Sequence, residues 1–220
     1  MKQPVKDALY NTMKDNLTTE PYTFEADTGF CRQNKETRAF KRFTGKTAIV
    51  TGAQGNFGSE CARRLAYEGA SVILWDIVPT TGLQDELRVA YPDQYFSAFN
   101  VDITIEDQIT NACEHIRQTN KQVSLLFNNA GYQGEFTPTI DYPVDDFKKI
   151  MDINVNGSFI VMKAVANLMK KNNLGGCSIV NTASMAGIGA PPNMIAYSAS
   201  KAAVKHMTVI AAKGPSSVEY

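Results

Sequence analysis

A tyrosine and a lysine four residues apart are the residues best suited to acid–base chemistry in this chain. Tyr197 and Lys201 stand at the start of a predicted helix, where a spacing of four places both side chains on one face. A phenol is a poor base at neutral pH, but a neighbouring ammonium favours the phenolate and lowers the phenol pKa. Ser184 precedes the pair, just after a predicted strand, where its hydroxyl could hydrogen-bond a substrate oxygen. The three residues therefore predict a general base with a hydroxyl partner for the substrate.

A glycine-rich turn is the second candidate site. It runs from Thr51 to Gly58, between a predicted strand and helix, with glycines at 52, 55 and 58. This spacing differs from G-x-G-x-x-G, yet glycines here equally let the backbone approach a pyrophosphate at a helix N-terminus. Such turns also merely connect a strand to a helix. The position after the first strand of a βαβ unit favours nucleotide binding.

Asp76 bears on which nucleotide would bind. It follows the second predicted strand, and residues 77–81 contain no Arg or Lys. A carboxylate at this place accepts hydrogen bonds from the ribose hydroxyls of NAD and repels the 2′-phosphate of NADP. The alternative is a loop Asp that satisfies turn backbone. With the glycine-rich turn upstream, the sequence predicts NAD as the cofactor.

Strands and helices that alternate from Lys46 onward must position these residues. The predicted strands are 47–50, 71–75, 95–101, 123–127 and 178–182. The predicted helices are 59–68, 83–89, 106–117, 144–171 with an interruption near 156–157, and 197–212. Such alternation, with nearly continuous apolar strands, is typical of a parallel sheet covered on both faces. We therefore predict the α/β class.

Composition excludes several other classes of protein. The 220 residues carry 22 Lys+Arg and 22 Asp+Glu, so there is no net charge that would favour nucleic acid. No apolar stretch is long enough to span a membrane, and the N-terminus lacks the apolar core of a secretion signal. The four scattered cysteines and two histidines predict reduced thiols and no metal site. We expect a cytoplasmic protein with a partly disordered extension over 1–43 and one domain over 44–220.

Together these motifs resemble the short-chain dehydrogenase/reductase family. The matching segments are Thr51–Gly58, Asn128–Gly131, Asn154, Ser184 and Tyr197–Lys201, in the family's order. The resemblance covers about residues 45–212 and implies a Rossmann-type, doubly wound parallel sheet. It also implies hydride transfer between NAD(P) and an alcohol or carbonyl. Residues 126–134, 180–187 and 191–194 are similar to the NAD-dependent xylitol dehydrogenases of the family, which implies a polyol substrate.

The resemblance also implies residue roles. Tyr197 would be the catalytic acid/base, Ser184 would position the substrate oxygen, and Lys201 would lower the tyrosine pKa and hold the nicotinamide ribose. Asn154 would hold a water in a proton relay; Asn156 is a competitor, but Asn154 fits the spacing to Gly157 better. The further implied cofactor-binding residues are Gly52, Gln54, Gly55, Asn56, Phe57, Gly58, Asp76, Asp102, Ile103, Asn128, Ala130 and Gly131, beside Tyr197 and Lys201.

The sequence departs from the family pattern in two places. Asn56 replaces a glycine of the turn; since Asn tolerates a left-handed backbone, we expect binding to be retained. The chain ends soon after Lys201, whereas family members continue with further strands, a nicotinamide clamp and a substrate lid. We therefore expect a C-terminally truncated domain, a homodimer or homotetramer if full length. Reduction of a 3-oxoacyl thioester or another carbonyl, and non-catalytic nucleotide binding, remain alternatives to alcohol oxidation.

Overall fold

A five-stranded parallel sheet forms the centre of the structure, a computed structural model that describes residues 41–171, 176–189 and 191–213. The strands are β1 (Thr47–Thr51), β2 (Ser71–Asp76), β3 (Phe96–Asn100), β4 (Val123–Asn128) and β5 (Ser178–Asn181). They lie in the order β3-β2-β1-β4-β5, and every neighbouring pair is parallel. The predicted Rossmann-type α/β fold is confirmed.

Within the described residues, six helices connect or follow the strands. They are α1 (Asn56–Tyr67), α2 (Thr81–Ala90), α3 (Glu106–Gln118), α4 (Val144–Met151), α5 (Ser158–Lys171) and α6 (Ile195–Lys213). A π-helical segment, Asp152–Gly157, joins α4 to α5 without a break. The interruption predicted near 156–157 is this wider helical turn. Short 3₁₀ turns occupy Thr139–Asp141 and Met185–Gly187.

The apolar core lies on both faces of the sheet. Ile49, Ile73 and Trp75 pack with α3 and α5 on one face. Val50, Val72 and Leu74 pack with α1 and α2 on the other. Because successive side chains of a strand point to opposite faces, strands covered on both sides must be apolar at nearly every position. This is why the strands are recognisable in the sequence as short apolar runs.

Three helices begin earlier than the sequence predicts, among them α2 at Thr81 rather than Leu83. α1 begins at Asn56 rather than Ser59, so the glycine-rich turn leads directly into helix. Asn56 is the first helical residue, and the described non-glycine residues with positive φ are Asn120 and Asn193. Asn56 therefore does not use the left-handed conformation that asparagine tolerates, and retained binding stays a prediction. α6 begins at Ile195, two residues before Tyr197.

The last residues of the predicted extension, Arg42 and Phe43, are tied to the domain. The Arg42 guanidinium donates to both carboxylate oxygens of Glu68, from Nε at 2.8 Å and Nη2 at 2.7 Å. Phe43 packs against the apolar cluster under α1 and α2. The prediction of partial disorder falls mainly on residues 1–40, which lie outside the described residues.

Candidate active site

The candidate site lies at the carboxyl ends of β1 and β4. From β1 the chain builds the sheet outward through β2 and β3, then returns to add β4 and β5 on the other side. Parallel α/β sheets bind ligands at such a reversal, because the loops diverge there and leave a crevice. Two cavities of about 730 and about 530 Å³ occupy this edge. They share Gly55, Asn129, Gly131 and Tyr132 in their walls, so they adjoin.

Most of the predicted cofactor-binding residues line these cavities. The larger is lined by Gly52, Gln54, Gly55, Asp76, Asp102, Ile103, Ala130 and Gly131, among others. The smaller is lined by Gly55, Asn56, Phe57, Gly131, Ser184, Tyr197 and Lys201, among others. The site predictions thus converge on one edge of the sheet.

The glycine-rich turn folds tightly onto itself before α1. Gly52 has a φ of +63°, a left-handed conformation that favours glycine. A Cβ on Gly58 would lie 2.0 Å from the Gly52 carbonyl oxygen, so the turn excludes any side chain there. Gly58 itself lines neither cavity; it allows the turn to close. The first backbone N–H groups of α1 have no partner within the helix, which makes this end a candidate anion site.

Asp76 ties the glycine-rich turn to the end of β2. Its Oδ2 accepts the Gln54 N–H at 2.8 Å and its Oδ1 accepts the Val78 N–H at 3.1 Å. The carboxylate therefore does satisfy loop backbone, the alternative weighed from the sequence. It also lines the larger cavity, where each oxygen retains a lone pair for a further donor.

Asp102 and Ile103 follow β3 at the wall of the larger cavity. The Asp102 Oδ1 accepts both the backbone N–H of Thr104 at 2.9 Å and its hydroxyl at 2.7 Å. These bonds fix the carboxylate against its own loop. Oδ2 remains available on the cavity side of this network among the described residues.

Asn128 supports the sheet instead of lining a cavity. It is buried, and its Nδ2 donates to the Asn181 Oδ1 and the Ser158 carbonyl, both at 2.9 Å. Its Oδ1 accepts the Thr51 hydroxyl at 3.2 Å. The amide thus fastens β4 to β1, β5 and α5. Asn128 lies outside both cavity walls, and its role in cofactor binding stays a prediction.

Asn154 lies fully buried in the π-helical segment and connects the loop after β4 to helix α6. Its Oδ1 accepts the Tyr132 N–H at 2.7 Å, and its Nδ2 donates to the Tyr132 carbonyl at 2.8 Å. Nδ2 also donates to Ser200 Oγ at 2.9 Å, and that hydroxyl donates to the Tyr197 carbonyl at 2.7 Å. Sequence reasoning missed Ser200. Its only signal was a small polar residue on the inner face of a helix.

Lys201 and Tyr197 lie together on one face of α6, as their spacing predicts. The Lys201 Nζ is 5.7 Å from the centre of the Tyr197 ring and donates to the Thr182 carbonyl at 2.8 Å. Lys201 is buried, and this burial lowers the pKa of its ammonium. No described residue hydrogen-bonds the Tyr197 hydroxyl, which leaves it free for a ligand in the smaller cavity.

Ser184 begins the 3₁₀ turn after β5 and lines the same cavity as Tyr197. Its Oγ accepts the Ala186 N–H at 3.2 Å. The hydroxyl proton is therefore free to donate to another oxygen. A phenol and a serine hydroxyl thus share one cavity.

The described residues include neither a metal-binding cluster nor a membrane-spanning helix. No group of three or more His, Cys, Asp or Glu side chains is placed there to hold a metal ion. No described helix has the length and hydropathy needed to cross a membrane.

Known proteins resemble this chain over most of the described domain. The short chain dehydrogenase family model matches residues 46–215. The 2-dehydro-3-deoxy-L-rhamnonate dehydrogenase (NAD(+)) of Sphingomonas sp. (strain SKA58) is 35% identical over 165 residues, 74% of this chain and 63% of that protein. Four of the most similar curated relatives are each matched over only 60% to 64% of their own length.

Solved structures show the same fold. NAD⁺-bound xylitol dehydrogenase is 41% identical with a TM-score of 0.71, over 78% of this chain and 65% of that one. Levodione reductase is 29% identical with a TM-score of 0.74, over 78% of this chain and 67% of that one. With the sheet order, the site residues and the family match in agreement, the chain belongs to the short-chain dehydrogenase family.

Proposed function

We propose that this chain transfers hydride between NAD and a secondary alcohol of the polyol type. The observation that carries the proposal is the shared cavity of Ser184, Tyr197 and Lys201, which adjoins the larger cavity lined by Asp76. The similarity to NAD⁺-bound xylitol dehydrogenase and to an NAD⁺-dependent sugar-acid dehydrogenase supports both the cofactor and the substrate class.

The cavities fit a dinucleotide at their junction. A Cβ on Gly131 would lie 3.2 Å from Asn154 Oδ1 and 3.4 Å from Lys201 Nζ, so only glycine leaves ordinary room there. The larger cavity would hold the adenosine half beside Asp76, Asp102 and Ile103. The smaller would hold the nicotinamide half beside Tyr197. When bound, NAD would supply the hydride acceptor.

The protein's own residues would handle the proton and the substrate oxygen. Tyr197 takes the hydroxyl proton, and the Lys201 ammonium lies beside its ring, 5.7 Å from the ring centre. Ser184 donates its free hydroxyl proton to the same substrate oxygen. Asn154 acts as a positioning residue, because both Nδ2 hydrogens are used within the protein. Through Ser200 it holds the turn of α6 that carries Tyr197.

Substitution of Tyr197 by Phe tests this chemistry. Loss of the phenol proton acceptor should lower kcat by about 10²–10⁴-fold, whereas NAD affinity should change little because the ring remains. NADH formation and calorimetric NAD titration measure the two effects. The matched control is Tyr67→Phe on the outer face of α1, where both quantities should be unchanged. A Tyr197→Phe protein that keeps most of its turnover would contradict the assignment.

A substrate panel separates polyol oxidation from the other functions. Xylitol and related polyols with NAD should give NADH. Oxidation of NADH by a 3-oxoacyl thioester, without polyol oxidation, would assign a reductase instead. Calorimetric binding of NAD with no turnover in either direction would assign a nucleotide-binding role.

A further inference from the structure

We propose that Lys149 of α4 pairs with the diphosphate of the bound dinucleotide and is a cofactor-binding residue. The inference rests on the proposed function for the identity of the cofactor. Lys149 lines the larger cavity together with Gly52, Gln54 and Gly55 of the glycine-rich turn. It lies outside every motif that identified the site from the sequence.

The charges around the larger cavity create the need for such a residue. Among the described side chains that line it, Asp76, Asp102 and Asp152 are acidic and Lys149 is the one cation. A dinucleotide adds two further negative charges at its diphosphate. Backbone N–H groups at the start of α1 would offset part of this charge. An ammonium in the cavity wall would offset the remaining repulsion between these carboxylates and the diphosphate.

The Lys149 ammonium is available for an anion. It forms no ion pair within 4.0 Å among the described residues, although acidic residues flank it on α4. Its neighbour Asp146 is already engaged, since its Oδ2 accepts the Tyr142 hydroxyl at 2.7 Å and the Glu135 N–H at 3.1 Å. No salt bridge within 4.0 Å among the described residues holds Lys149, although its charge contributes, after the Tyr142 and Glu135 hydrogen bonds, to lowering the pKa of the Asp146 carboxyl.

An aromatic ring holds Lys149 at the cavity. Its Nζ lies 4.4 Å from the centre of the Tyr132 ring, within cation–π range. Tyr132 lines both cavities, and hydrogen bonds from its backbone to the buried Asn154 fix its position. The ring thus directs a long, flexible side chain towards the region where the two halves of a dinucleotide would meet.

The preceding residue provides a matched control. Lys148 lies on the same helix, but it pairs with Asp145 at 3.6 Å and does not line the larger cavity. The variants Lys148→Met and Lys149→Met remove the same charge and keep a similar stem. A difference between them reports position, not net charge.

Calorimetric titration of the full chain with NAD, ADP-ribose and adenosine tests the proposal. In Lys149→Met, the affinities for NAD and ADP-ribose should fall about tenfold at low ionic strength, and less at high salt, because a partly exposed charge pair is screened. Adenosine, which has no phosphate, should bind as before. Lys149→Arg should restore most of the affinity, and Lys148→Met should bind all three ligands like the parent chain.

The outcomes separate this inference from the proposed function. Equal losses for adenosine and ADP-ribose would place Lys149 at the adenosine half and overturn the diphosphate assignment. Unchanged affinities for all three ligands in Lys149→Met would show that the lysine is only a surface residue. Failure of the parent chain to bind either NAD or ADP-ribose would overturn the cofactor itself. Thermal melting of each variant verifies that the fold is retained.

Discussion

Gly131 illustrates how a single residue controls the site by having no side chain. The cavities meet at this residue, and the nearest side-chain atoms belong to Asn154 and Lys201. Asn154 cannot easily give way, because three hydrogen bonds hold its amide. An added carbon would therefore press on the Asn154 amide and fill the space beside Lys201.

We expect Gly131→Ala to lower both NAD affinity and kcat by about tenfold, because small misplacements of reacting groups are costly. Equilibrium titration and steady-state kinetics measure the two effects. Gly82→Ala is the control: a Cβ there meets nothing within 4 Å, so activity should persist. In the helical position of Gly82 the substitution should also stabilise the protein by about 0.4–1 kcal/mol. Unchanged binding and turnover in Gly131→Ala would show that the junction has spare room.

Asp76 should determine the preference between the two nicotinamide dinucleotides. The parent chain should bind NAD more tightly than NADP, because the carboxylate would repel a 2′-phosphate. The double variant Asp76→Ser, Ile77→Arg should narrow or reverse this difference. Titration with both cofactors measures it, and the exposed Asp85→Ser on α2 is the control. Equal affinities in the parent chain would remove Asp76 from ribose recognition.

Site residues were predictable from the sequence where the geometry of a helix or the end of a strand fixes their position. Tyr197 and Lys201 share a helix face because of the helical period, and Asp76 follows a strand end. The hydrogen-bond partners of Asn128 were not predictable, because Ser158 and Asn181 come from distant segments. Spacing along a chain does not reveal whether a buried amide faces a ligand or another strand.

At the level of elements, the end of α1 depends on one buried carboxylate. Glu68 is 2% exposed, and the guanidinium groups of Arg42 and Arg64 both hydrogen-bond it. These bonds, that of Arg42 foremost, lower the pKa of Glu68 to about 2 in spite of its burial. The ion pair joins residues before β1 to the helix that carries the glycine-rich turn.

Removal of this charge should matter only where Glu68 is ionised in the fold. A lowered carboxyl pKa stabilises the protein above the unfolded-state pKa, near 4.5, and the effect is lost as the pH falls towards 2. Glu68→Gln should therefore cost about 1–3 kcal/mol of unfolding free energy at pH 7. The cost should shrink steadily below pH 4.5. Urea unfolding of both proteins at pH 7, 4 and 3 measures it, and a pH-independent difference would contradict the linkage.

The sequence predicted which segments form helices and which form strands, but not the residues at which several of them begin and end. The apolar runs located all five strands, because both faces of the sheet are covered. The start of α1 was placed late, since its N-cap residue, Gly55, carries no side chain that would mark a helix start. The π-helical segment lies where the sequence predicts an interruption near 156–157, but the sequence did not distinguish a wider helical turn from a break.

At the level of the whole molecule, β5 forms one edge of the described sheet. Val180 at its centre is 52% exposed, although it pairs in register with the core strand β4. An exposed apolar edge strand is a template for association with another chain. The parent protein should therefore self-associate with increasing concentration. Val180→Lys should reduce this association, as measured by sedimentation velocity, and Lys148→Met should not. Identical behaviour of the Val180→Lys and parent proteins would exclude this edge as the contact.

Because of the π-helical segment, the number of residues between α4 and α5 affects how the two helices are oriented relative to each other. Each hydrogen-bonded ring of a π-helix holds one residue more than that of an α-helix. Because one helical residue rotates the chain by about 100°, the extra residue offsets the face of α4 from that of α5. Deletion of one residue between Asp152 and Gly157 would therefore let an ordinary helix form and turn α4, with Lys149, away from the cleft. A relative that is one residue shorter at this point would keep the types of the active-site residues but not their positions relative to one another.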